Sequence, residues 1–365
     1  MSHSPSEADR SFEIVASSQV RELASGIDSM YLSGRAVLPE AFVDRLERAR
    51  GRALDGREPV GFDLGGVEFG LTPFGWGRYP YRLSHEYGLI GFTPSEHLPA
   101  VRVQPKAQLL HGIGPAATVD TFSSVVSTVA SVEWSVARAD LFADVQGFWP
   151  GANTRERFVC RARTLATFEE AGDLTGFQFG KRRGGGITAR MYEKSGQARK
   201  TGADYWFEMW GEKYRPGEPV ARVEIEFGRK VLHQCEIESP DDLFSNLAGL
   251  WGYGTEWLSY RQPTADKTRS RAPVAPEWEA IRNVSLRDRA VTVQRTTSSK
   301  KAATERQIIQ GLCGYLSSFA AIRNVDSIGA SLDLIDPVLR DYERETGIPF
   351  SARVHKKRQK WEWGL

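Results

Sequence analysis

Apolar and polar positions alternate over residues 136–145, with Arg138, Asp140, Phe142 and Asp144 on one side and Ala137, Ala139, Leu141, Ala143 and Val145 on the other. A period of two marks a strand with one buried face. The same alternation groups Arg190, Tyr192 and Lys194 over residues 187–194. It also groups Arg222, Glu224 and Glu226 over 220–227, backed by Val223, Ile225 and Phe227. Further strands are expected at 27–33, 78–82, 88–92, 101–110 and 204–210, and the strand at 220 is expected to run on to 232. Residues 175–180 and 187–194 flank a Gly-rich turn and predict a hairpin. Helical spacing appears over 38–54 (Phe42, Leu46, Ala49) and in a segment marked by Val119, Phe122, Val126 and Val129. It appears again over 155–170 (Phe158, Leu165, Phe168), 240–260, 304–322 and 332–346. The expected architecture is α+β: a central antiparallel sheet with helices packed on one face, then a smaller, mainly helical C-terminal region. The expected divisions are a flexible tail at 1–24, a main domain at 25–261, a linker rich in Pro, Thr, Arg and Ala at 262–276, and the helical region at 277–365.

Three such strands in one sheet would turn four carboxylates, a tyrosine and several cations the same way. Cleaving a phosphodiester needs a nucleophile and positive charge on the phosphate oxygens. Tyr192 can supply the first, and Arg190 and Lys194 would lower its pKa and contact phosphate. Carboxylate oxygens suit Mg²⁺ or Mn²⁺, which polarise phosphate. The alternative is a wet sheet face whose acids and arginines are ordinary cross-strand ion pairs. Alternation alone does not separate the two.

Composition narrows the field from outside. The chain has 365 residues, 41% of them hydrophobic, and 48 Lys and Arg against 46 Asp and Glu. It can bury a substantial core, but it is no uniformly basic coat for nucleic acid, so any DNA contact must come from local basic surfaces. Candidates are Lys181, Arg182 and Arg183 in the hairpin turn, and Lys356, Lys357 and Arg358 beside Trp361 near the C-terminus. Cys160, Cys235 and Cys313 fit no metal spacing and read as free thiols of a reducing compartment. No apolar run is long enough to span a bilayer and no signal peptide is evident, so a cytoplasmic protein with no membrane contact is expected. The six histidines never form a His-hydrophobe-His pair, and His85, His97, His111 and His233 read as surface or structural groups. The spacing of Ile308, Leu312, Tyr315 and Phe319 is explained by helical packing.

Read in order, four strings carry a further signal: Val136-Ala-Arg-Ala-Asp-Leu-Phe-Ala-Asp144, Phe177-Gln-Phe-Gly180, Ala189-Arg-Met-Tyr-Glu-Lys194 and Ala221-Arg-Val-Glu-Ile-Glu226. Together they resemble the replication initiation factor family of trans-acting Rep proteins, which includes initiators of rolling-circle plasmids and filamentous phages and relaxases of conjugative elements. The resemblance spans residues 25–260 and is strongest over 134–232. It implies an endonuclease and strand transferase that nicks an origin and rejoins it through a 5′-phosphotyrosine. Tyr192 would be the nucleophile, with Tyr205 as another candidate. Asp140 and Glu224 would be the first metal ligands, Asp144 and Glu226 the second, and Mg²⁺ or Mn²⁺ the ion. Arg190 and Lys194 would position phosphate. Implied partners are origin DNA with a single-stranded nick region, a host helicase and polymerase, and a second copy of the chain. A conjugative relaxase, or an origin-binding regulator that does not cut, are the alternatives.

Overall fold

The computed structural model describes residues 20–181, 185–287 and 305–362, apart from the side chains of 152, 153, 305–308, 310, 311, 356, 357 and 359–362. It divides into two compact units, Met1–Arg295 and Thr296–Leu365.

The first unit is organised around one large antiparallel sheet. Its strands are β1 (Arg21–Arg35), β2 (Val60–Leu64), β3 (Val67–Thr72), β4 (Tyr81–His85), β5 (Gly88–Phe92), β6 (Val101–Pro105) and β7 (Glu133–Gln146), then β9 (Leu165–Glu170), β10 (Asp173–Phe179), β11 (Ile187–Glu193) and β12 (Ala221–Gly228). The short β8 (Phe158–Cys160) pairs separately with β13 (Leu258–Tyr260). The order β2-β3-β4-β5-β6-β1-β7-β12-β11-β10-β9 joins two meanders through the long central pair β1–β7. One face buries Leu32, Val103, Ile90, Leu141, Val223 and Ile225 against helices. Those helices include α1 (Glu40–Gly56), α3 (Pro115–Ser127) and, after α6 (Arg229–Gln234), α7 (Pro240–Ser245) and α8 (Leu247–Trp257). In α1, Phe42, Leu46, Ala49 and Ala53 form the buried stripe that the sequence spacing predicts. The opposite face carries a small cap built from α4 (Lys194–Thr201) and α5 (Tyr205–Trp210), in which Trp206 and Trp210 close over Phe142; His111 of α2 (Ala107–Ile113) packs against it, while Leu110 of α2 joins the main core.

The expected α+β architecture is present, with several local differences. Residues 155–170 contain β8 and β9 rather than a helix. Ala171 (φ 53°) and Gly172 (φ 90°) form a two-residue hairpin turn in which Asp173 pairs with Glu170, and three apolar residues at helical spacing do not reveal it. Residues 205–210 are helical rather than extended. The aromatic run suggests a strand, but Trp206 and Trp210 stand four apart and bury on one side. The strand beginning at 101 ends at Pro105, the strand of 221 ends at Gly228 before α6, and the expected helix at 240–260 breaks at Asn246. Residues 21–24, expected in the tail, already belong to β1, where Leu23 is buried.

The segment 262–276 turns back on the sheet domain: Gln262 N donates to Pro273 O, and Ala275 lies in the core. Helix α9 (Pro276–Arg282) then buries Trp278 and Ile281, so the first unit extends past the expected boundary. The second unit contains α10 (Glu305–Arg323), α11 (Ile328–Thr346) and α12 (Phe350–Glu362). Leu312 and Tyr315 of α10 are exposed, so packing among the described residues does not account for them. Among the described residues no helix is long and apolar enough to cross a membrane, and the three cysteines are free.

Candidate functional site

The three strands singled out by alternation are direct neighbours. Register places Arg190 beside Glu224 and Glu224 beside Phe142, Tyr192 beside Arg222 and Arg222 beside Asp144, and Glu226 beside Asp140. All of these side chains stand on the face opposite the main core. The result is a charged row of both signs, most of it withdrawn from solvent.

Each carboxylate has a guanidinium. Arg138 Nε donates to Asp140 Oδ1 at 2.7 Å, and its Nη2 pairs with Asp140 and, at 2.9 Å, with Glu226. Arg190 pairs with Glu224. Arg222, fully buried, donates to Asp144 through Nε (2.6 Å) and Nη2 (2.7 Å), and to Asp28 Oδ1 through Nη1 (2.7 Å). Its guanidinium lies against both Phe142 (4.2 Å) and Trp206 (3.9 Å), whose rings stand edge to face, and Trp210 Nε1 adds a further bond to Asp144. Buried charges persist only when paired and hydrogen-bonded in this way.

Four participants were not legible beforehand. Asp28 is the extra residue of a bulge, for Ile27 pairs with Leu141 and Ser29 with Asp140. The bulge turns its carboxylate onto this face, where simple alternation does not put it. His111 packs edge-on against Phe142 and Trp206, with Nε2 3.7 Å from Asp28. It is thus part of the cluster, as a packed structural group. Trp206 and Trp210 arrive on α5, where the aromatic run predicts a strand. Their i, i+4 spacing was the available signal.

Tyr192 is half-buried, and its hydroxyl donates to Glu224 Oε2 at 3.2 Å. Burial pushes its pKa well above the ordinary phenol value. The carboxylates of Glu224, Asp28 and Asp144 reinforce that shift and Arg222 opposes it. The expectation that Arg190 and Lys194 would lower this pKa is therefore overturned, because desolvation outweighs the local cations. Glu224 is itself raised to about 7, by burial first and then by Asp28 and Asp140, against Arg190 and Arg222. Lys194 opens α4 rather than ending the strand, because Glu193 caps that helix by accepting from Ser195 N and Gly196 N. Its ammonium lies 4.7 Å from the Trp206 ring and 6.0 Å from that of Tyr192. Burial and Arg222 lower its pKa to about 8. Tyr205, the alternative nucleophile, packs on Trp206 at 5.2 Å between ring centroids.

The four expected metal ligands share one face, yet each is engaged by an arginine, and Asp144 is sealed beneath Trp210. Among the described residues no three of His, Cys, Asp and Glu converge as a ligand set. As arranged, these donors do not fit a divalent cation. Of the expected DNA contacts, Lys181 and Arg358 are exposed. Arg182 and Arg183 lie outside the described residues, as do the side chains of Lys356 and Lys357.

No family profile matches the chain. An uncharacterised protein, ORF430, of Pseudomonas phage Pf1 is 25% identical over 240 residues, 52% of this chain and 55% of that protein. The chain thus spans about half the length of that curated relative. Among solved structures, a rolling-circle replication initiator protein from Geobacillus stearothermophilus aligns over 72% of this chain and 95% of its own, with a TM-score of 0.41 and 13% identity.

Proposed function

We propose that this chain nicks and rejoins one DNA strand at an origin, as a rolling-circle replication initiator does, with Tyr192 as the nucleophile. The observation that carries the reading is the hydrogen bond from the Tyr192 hydroxyl to Glu224, with Arg190 and Arg222 on the same face. A phenol with a raised pKa needs a base within reach, and Glu224 is in place to take its proton. The tyrosine oxygen then attacks phosphorus in line, and the bond from phosphorus to the 3′-oxygen breaks. The 3′-oxygen leaves with a proton returned from Glu224, and the 5′-phosphate stays on Tyr192. Rejoining runs the same steps backwards. Arg190 and Lys194 supply positive charge to the phosphate oxygens. The free 3′-hydroxyl would prime a host polymerase, with a host helicase opening the duplex and a second chain available for a second strand transfer. A conjugative relaxase would use the same chemistry at a transfer origin.

A second reading also has an observation behind it. The complete pairing of Asp140, Asp144, Glu224 and Glu226 with arginines suits a protein that binds origin DNA without cutting it.

The deciding experiment incubates supercoiled plasmid carrying the DNA that flanks the protein's own gene, with Mg²⁺, with Mn²⁺ and with a chelator. Wild type, Tyr192→Phe and Tyr205→Phe are compared for open-circle product and a protease-sensitive adduct. Nicking and adduct lost only in Tyr192→Phe are expected. Nicking that survives this change moves the nucleophile elsewhere, and tight binding without nicking by the wild type favours the regulator. The chelator arm decides whether a cation or the arginines supply the positive charge on the phosphate.

A further inference from the structure

We infer that the open face of the other meander, β4–β6 with the loop 73–80, is a binding platform for single-stranded DNA leading to Tyr192. The inference rests on the DNA-nicking reading and adds a surface to it.

Register aligns Arg82, Gly91 and Arg102 across β4, β5 and β6, on the side away from the buried Leu83, Ile90, Val101 and Val103. The loop after β3 folds back over that row through paired backbone bonds between Trp76 and Tyr79. Gly91 makes this possible, because a Cβ there would come within 3.1 Å of Tyr79 Cβ and 3.3 Å of the Trp76 ring. Trp76 consequently lies on the sheet with the Arg102 guanidinium 4.0 Å from its ring centroid. Arg102 also reaches Tyr31 (5.4 Å), and Arg138 approaches Tyr31 at 5.1 Å. Cations and aromatic planes therefore continue from the platform to the charged row. Phe74, in the same loop, is 77% exposed.

The charge pattern differs from that of the row. There every arginine has a carboxylate; here Arg78, Arg82 and Arg102 make no ion pair among the described residues, and Arg82 Nε is buried without any hydrogen-bond partner. Asp63 and Glu68 lie opposite each other across β2 and β3, with Glu68 four residues along β3 from Thr72, the neighbour of Arg82. That is about 13 Å away. Unpaired guanidinium groups interleaved with aromatic rings complement a phosphate backbone whose bases are free to stack, which a duplex does not offer. From β4 to β11 is six inter-strand steps, about 29 Å, a span suited to a few unpaired nucleotides.

The test is fluorescence anisotropy with a labelled oligothymidylate of about fifteen nucleotides and with a duplex of equal length, across a salt series. Wild type should prefer the single strand. Trp76→Ala should weaken it about tenfold. Arg82→Ala and Arg102→Ala should each flatten the slope of log affinity against log salt by about 0.7. Variants that bind as tightly as wild type with an unchanged slope, or a wild type that prefers duplex, would overturn the platform. Because Trp76→Ala could perturb the loop, photocrosslinking of a bromodeoxyuridine oligonucleotide to the wild type provides a check without mutation. Adducts within residues 73–80 or at Tyr31 are expected, and adducts confined to other segments count against it. Wild type that binds through these residues yet never nicks would retain the platform and remove the role of Tyr192. Wild type that nicks while these variants bind normally would do the reverse.

Discussion

Tyr192 has no preformed phenolate near neutral pH, because its environment holds the proton on. Activity should therefore follow its acceptor. Glu224, raised to about 7, is mostly protonated at pH 6 and unable to accept, so the nicking rate should climb as pH rises through about 7. Lys194, lowered to about 8, loses its charge above that value, so the rate should fall again on the alkaline side. A bell between these limits is expected in single-turnover nicking. Glu224→Gln should lower the rate by roughly 10²–10⁴-fold and remove the acid limb, whereas Lys194→Arg should retain activity and remove the alkaline limb. An acid limb that persists in Glu224→Gln would assign it to another group. A second residue-scale outcome concerns Asp28, where burial would raise the pKa but His111 and Arg222 outweigh it and hold the carboxyl at about 2. A depressed carboxylate stabilises the fold above its unfolded value of 3.8, and that contribution disappears as pH falls towards 2. Asp28→Asn should melt lower than wild type at pH 7, with the gap narrowing in acid.

At the scale of elements, the small cap of α4 and α5 is what dries the site. Trp206 and Trp210 are both buried and cover Phe142, Arg222 and Asp144. Trp210→Ala should cost about 3–5 kcal/mol by opening a cavity, read as a lowered denaturation midpoint, with Asp144 losing one of its donors. Trp210→Phe should recover most of the packing but not that bond. If Trp210→Ala matched wild-type stability, the cap would be an ornament of the sheet and not its cover. The Tyr-Trp-Phe run favours a strand, whereas the alternation beneath it marks three true strands, two of which end earlier than the pattern suggests. The difference is physical. Each of those strands has a charged and an apolar side that enforce a period of two, whereas a six-residue helix shows little more than one and a half turns of its own period.

For the whole molecule, the composition boundary at 262–276 is not the folding boundary. Trp278 Nε1 donates to Thr255 O and Trp251 Nε1 to Ile281 O, so the two segments complete each other's buried bonds. Residues 1–287 should melt cooperatively and hold DNA, while residues 1–262 should lose several kcal/mol from exposed core, the orphaned Trp251 indole donor and the unpaired Thr255 carbonyl. Thermal melts of the two fragments check this, and equal stability would show α9 to be dispensable.

Strand identity, the hairpin 175–194 and the shared face of Asp140, Asp144, Tyr192, Arg190, Glu224 and Glu226 were set by the sequence, because a period-two alternation of charged and apolar residues fixes which side chains look the same way. The order of β7, β12 and β11, which turns a shared direction into contact, was decided by tertiary pairing. So was the bulge at Asp28 and the arrival of His111 and Trp206 from distant segments. Tertiary structure also reversed the expected direction of the Tyr192 shift, because burial outweighs the cations. Proximity in sequence counts neighbouring charges, but only the folded chain determines how much water is removed from them, and here that loss dominates.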